Sequence, residues 1–83
     1  MEYEVYAVFD RVSGAFGAPQ LMINEGTARR WFQYTMGNSG MIATDCALFK
    51  LGSYDTSTGK VASFYEPEIV CNYVPVKVGE DNA

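Results

Sequence analysis

Residues 3–9, Tyr-Glu-Val-Tyr-Ala-Val-Phe, alternate with the two-residue period of a strand. Tyr3, Val5, Ala7 and Phe9 fall on one side, and Glu4, Tyr6 and Val8 on the other. The second side is only half polar. Tyr6 and Val8 therefore want a cover, from the protein itself or from a partner, and are the candidate interface residues. The stretch 10–20 carries Gly14, Gly17 and Pro19 and predicts a loop that reverses the chain. Leu21 to Ile23 is expected to return as a short second strand.

The period then changes. Asn24 is a helix N-cap, and Glu25 sits where the helix dipole favours negative charge. Ala28, Trp31, Phe32, Thr35 and Met36 recur at three- and four-residue spacing, an apolar stripe that packs on a sheet. Arg29, Arg30, Gln33 and Tyr34 lie off that stripe, and Gly37, Asn38 and Gly40 end the helix. Residues 39–45 read as a loop with Met41 and Ile42 tucked inward. Cys46 to Tyr54 reads as a strand, with Ala47, Phe49 and Leu51 on one face and Leu48, Lys50 and Tyr54 on the other. Tyr54 to Val61, "YDTSTGKV", predicts a hairpin. Val61 to Tyr65 is the returning strand, Glu66-Pro67-Glu68 interrupts it, and Ile69 to Val78 is extended, limited by Pro75 to an edge strand or arm.

These elements predict an α+β fold: a small antiparallel sheet, one helix packed on one face, and an extended C-terminal arm or edge strand. Residues 1–78 are expected to form a single domain, and 79–83 a frayed tail. With one helix, the opposite sheet face is bare. That predicts a homodimer or a tail that wraps.

Composition removes several chemistries. The chain of 83 residues has no histidine, which takes away the usual general base and most metal sites. Cys46 and Cys71 lack a CxxC spacing, so no metal and no cofactor are expected. They read as small buried residues in a reducing compartment, although sequence leaves their redox state open. A carboxylate set from Asp10, Asp45 and Asp55 is the remaining route to catalysis. Each of these sits beside a turn, where Asp hydrogen-bonds the backbone, so no enzyme is expected. No apolar run suits a membrane, and the Met-Glu-Tyr-Glu start does not resemble a signal peptide.

Six basic residues against ten acidic give a net charge of −4, which argues against charge-driven nucleic-acid binding overall. A local patch remains open. Arg11, Arg29, Arg30, Lys50 and Lys60, beside Tyr34, Tyr54 and Tyr6, are the candidates to track and stack a single strand. "TSTGK" lacks the residues and context of a phosphate loop. "GAFG" follows a strand, which favours a connection over a backbone clamp.

Three stretches, "VYAVFDRVSGAFGAP" (5–19), "ARRWF" (28–32) and "LFKLGSYDTSTGKV" (48–61), together resemble the small nonstructural protein of gokushovirus-type Microviridae, bacteriophages with single-stranded DNA genomes. The shared positions are Asp10, Arg11, Gly14, Gly17, Pro19, Arg30, Phe32, Gly52, Asp55 and Gly59. Relatives often carry Pro-Glu-Asp where this chain reads Ala43-Thr44-Asp45. The resemblance implies a non-virion protein of the host bacterial cytoplasm. It would assist viral DNA replication, single-strand synthesis or packaging, with single-stranded DNA or a viral or host replication protein as partner. A protein-interaction module without DNA contact is the alternative.

Overall fold

The computed structural model describes residues 1–39 and 43–75. Its elements are β1 (Glu2–Asp10), β2 (Ala15–Phe16), β3 (Gln20–Met22), α1 (Glu25–Gly37), a 3-10 turn (Ala43–Asp45), β4 (Cys46–Asp55) and β5 (Val61–Asn72). All strand pairings are antiparallel. The order across the sheet is β2-β1-β4-β5, with β3 on the same side of β1 as β2. This is the expected α+β arrangement, one helix on a curled antiparallel sheet. Residues 40–42 and 76–83, with the expected inward Met41 and Ile42 and the expected tail, lie outside the described residues.

Two turns hold the sheet together and share one design. In residues 10–14 the Asp10 carboxylate accepts the Val12 amide at 2.9 Å, and the Gly14 amide donates to the Asp10 carbonyl at 2.8 Å. In residues 55–59 Asp55 accepts the Ser57 amide at 2.8 Å, and the Gly59 amide donates to the Asp55 carbonyl at 2.8 Å. Gly14 and Gly59 close them at φ 71° and 73°, a conformation that costs other residues. The first turn leads straight into β2, so the glycine-rich stretch is a hairpin connection. β3 runs Gln20–Met22 rather than to Ile23, and β2 was not anticipated.

Helix α1 begins where expected. The Asn24 side chain accepts the Thr27 amide at 2.8 Å. Ala28, Phe32 and Met36 are buried, and Trp31 packs at the margin. They press onto Tyr6, Cys46 and Leu48, with Val8, Met22, Val70, Cys71 and Tyr73 around them. Phe32 meets Tyr73 edge-on with ring centroids 6.2 Å apart. The cover that Tyr6 and Val8 want thus comes from the chain's own helix. Tyr6 is 0 % exposed and is a core residue, whereas Val8 is partly buried against the same cluster.

Three irregularities interrupt the pairing, one of them leaving Val70 extra between the partners of Leu48 and Phe49. Val5 pairs with Gly52 while Tyr6 pairs with Lys50, so Leu51 is an extra residue in β4. That bulge resets the alternation. Tyr54, expected beside Leu48 and Lys50, pairs with Tyr3 and Val61 on the opposite face. In β5, Gly52 pairs with Ser63 but Lys50 pairs with Glu68, so Phe64 to Pro67 bow out opposite Leu51. The expected break at Glu66-Pro67-Glu68 is instead a bulge within one continuous edge strand, and Glu68 pairs with Lys50. A bulge on an edge is where a residue without an amide proton fits.

Candidate functional site

The fold engages several members of the expected basic patch in its own contacts and sets others apart. Arg29 is committed to the scaffold: its guanidinium donates to Glu25 at 3.0 Å and to the Val70 carbonyl at 3.2 Å. Gln33, one turn on, donates to the Val74 carbonyl at 2.9 Å. These two side chains fasten the helix to the end of β5 and the residues after it. Arg11 donates to the Asn72 side chain. Lys50 pairs with Glu4 at 3.2 Å and lies 5.7 Å from the Phe64 ring centre. Among the described residues, Arg30 and Lys60 have no side-chain hydrogen bond or ion pair. Arg11 follows the end of β1, and Lys60 lies beside its start. Nine strand residues therefore separate them, roughly 30 Å. Tyr34 is 73 % exposed one helical turn after Arg30, Tyr54 is on the helix-free face, and Tyr6 is buried.

Beneath the helix, Tyr6, Glu4 and Lys50 form a small polar network. The Tyr6 hydroxyl donates to one Glu4 oxygen at 2.6 Å, and Lys50 meets the other. The Tyr6 hydrogen bond, helped by Lys50 and opposed by burial, holds the Glu4 carboxyl below its ordinary value of 4.5. Burial first, then Glu4, pushes the Tyr6 phenol well above its ordinary 10.0. The signs are opposite in consequence. The Tyr6 contribution is complete below pH 10 and is lost as pH rises beyond it. The Glu4 contribution is present above pH 4.5 and is lost as pH falls. Tyr6→Phe is expected to cost about 1.5–3 kcal/mol at neutral pH, as for a hydrogen bond to a charged group. It should also flatten the loss of stability above pH 10. Denaturation midpoints across pH check this, and an unchanged alkaline limb would contradict it. Both cysteines are free, and burial raises their thiols, so they stay protonated at neutral pH.

The other sheet face has a different character. Register places Tyr3, Val5, Ala7 and Phe9 of β1 beside Leu21, Phe16, Ala47, Phe49 and Tyr54, continuing to Val61 and Ile69. None of these is charged; Val5, Ala7 and Ala47 are buried, and the helix lies on the opposite face. Phe9, Phe16 and Phe49 pack as a trio, with centroids 4.8, 5.8 and 5.4 Å apart. With Glu66 and Pro67 they line a depression of about 320 Å³. A second depression, of about 340 Å³, lies toward the other end among Val5, Pro19, Leu21, Tyr54 and Val61. Phe16, Leu21, Val61 and Ile69 are 43–68 % exposed. The fold thus covers the half-polar face and leaves the more apolar one open, with Ser63, Asn72 and Glu66 its polar members toward β5. The alternation at Tyr3, Val5, Ala7 and Phe9 was the signal for it, whereas Tyr6 and Val8 pointed to the wrong side.

A family model described as Phage ORF5 protein matches residues 3–76. The chain belongs to this family. No curated protein and no solved structure matches it. The helix-free face of this phage protein lies wholly within the matched span. Among the described residues of the phage protein, no group of three or more His, Cys, Asp or Glu side chains is placed to hold a metal. No helix there is long and apolar enough to cross a membrane.

Proposed function

We propose that this phage protein is a non-enzymatic accessory factor that works by protein contact through the helix-free face of its sheet. The setting is the host bacterial cytoplasm during viral DNA replication, single-strand synthesis or packaging. One observation carries the reading: the most apolar face of the sheet is the uncovered one. Monomers rarely leave a contiguous apolar surface of this kind, and interaction sites do. The setting rests on the likeness to the gokushovirus nonstructural protein together with membership of a phage family. The missing histidine supports a role without catalysis.

A second reading, weak binding of single-stranded DNA, is favoured by the exposed Arg30 and Tyr34, which stand one turn apart on the helix. Titration of labelled single-stranded DNA by fluorescence anisotropy, at low and moderate salt, separates the two. The protein-contact reading expects no binding tighter than about 100 µM even at low salt, the weak end of non-specific association. Tight binding that weakens steeply with salt and disappears in Arg30→Glu would move the function to the helix.

A further inference from the structure

We infer that the partner on the helix-free face is a second copy of this chain, docked face to face about a two-fold axis. The two sheets form the inner layers of a sandwich, and the two helices lie outside. This rests on the protein-contact reading above and names its partner.

Charge is the first reason. The chain carries a net −4, so two copies repel through most of their surface. Across the paired strands, the charged Glu4, Lys50 and Glu68 point to the helix side, in register with Met22, Tyr6 and each other. The opposite positions, from Val5 and Leu21 to Phe49 and Ile69, are uncharged. Two copies meet with the fewest like charges there, Glu66 beside one depression being the exception. A nucleic acid would find no row of cations for its phosphates on this face. An acidic or basic protein would find only Glu66, lining one depression, to recognise.

Area is the second. The sheet is four ribbons wide, because β2 and β3 share one edge of β1. At ordinary strand spacing and rise, this gives a plan of roughly 20 by 30 Å, about 600 Å² before side-chain relief is added. A standard interface takes about 800 Å² of accessible surface per partner, which a ridged face of that plan supplies. Stacked sheets pack about 10 Å apart through interdigitated side chains. The two depressions and the projecting Phe16, Leu21 and Val61 provide the holes and ridges.

Size is the third. Among the described residues the buried cluster around Tyr6, Phe32 and Leu48 lies on the helix side, and the other face buries only Val5, Ala7 and Ala47. Small domains with so thin a core commonly gain the missing burial by association.

Sedimentation equilibrium of the full chain, over a wide concentration range, tests the inference. The wild type is expected to be a dimer. Leu21→Lys and Val61→Lys alter side chains already 49 % and 68 % exposed, so the fold should survive, as circular dichroism will verify. Each should raise the dissociation constant roughly tenfold or more. Tyr34→Lys, on the helix, should leave it unchanged. A dimer indifferent to both face variants overturns the surface. A monomer at every concentration overturns the second copy as occupant. If that monomer binds no single-stranded DNA, the protein-contact reading survives with a foreign partner or with residues 76–83 on the face. If it binds DNA and Leu21→Glu abolishes the binding, both fall.

Discussion

Gly52→Ala is expected to cost about 3 kcal/mol or more, the upper range for forcing atoms into filled space. A Cβ at this position would lie 2.0 Å from the Ala62 carbonyl oxygen and 2.8 Å from the Ser63 Cα. Both are backbone atoms of the neighbouring strand, so no rotamer change relieves the clash. The two strands must part where Gly52 pairs with Ser63 and Ser53 with Ala62. A chain of this size has a total stability of about 4–12 kcal/mol, so the variant should lose much of it. Urea denaturation followed by circular dichroism measures the change. A midpoint equal to that of the wild type would mean that β4 and β5 do not approach this closely.

Phe32→Ala should be comparably damaging, at about 3–5 kcal/mol, the range for removing a buried aromatic ring. Phe32 is 1 % exposed at the centre of the helix-facing core, and its edge-on contact with Tyr73 would be lost as well. Phe16→Ala makes a sharp comparison. Phe16 is 43 % exposed on the helix-free face, so in dilute, dissociated protein its loss should be far milder. Denaturation of both variants at low protein concentration checks the order. If Phe16→Ala proved the more costly, the helix would not be packed on the face described.

The helix was the most legible element, because everything that defines it is local. Asn24 is the cap, and Ala28, Phe32 and Met36 keep the helical period. The second hairpin was legible for the same reason, through Asp55 and Gly59. Its likeness to residues 10–14 was also there to read, as an Asp followed four residues later by a Gly. What escaped depends on residues far apart in the chain. Leu51 looks like any strand residue, and only the pairing with β1 makes it the extra one that turns Tyr54 to the other face. β2 is two residues long and exists through its register with Phe9 and Asp10.

The candidate site shows the same limit. The ion pair of Arg29 with Glu25 follows from their spacing of four. Its bond to the Val70 carbonyl, 41 residues away, does not, and that bond turns an apparent surface cation into a fastening for the edge strand. Likewise, the half-polar row of Tyr6 and Val8 looked like the one needing a partner. Alternation sorts residues into faces, but it does not say which face the helix will choose. The Tyr6–Glu4–Lys50 contacts explain how a half-polar row is accommodated under a helix: its polar groups satisfy one another at the margin.

The proposed working surface is the helix-free face, occupied by a second copy. The most direct measurement is an isotope-filtered nuclear Overhauser spectrum of a mixed sample, half of it isotopically labelled. Only contacts between copies appear in it. Cross-peaks joining the methyl groups of Leu21 and Val61 to the rings of Phe16 and Phe49 are expected. Cross-peaks confined to helix residues such as Trp31 and Tyr34, or none at concentrations where a dimer would be populated, would contradict it.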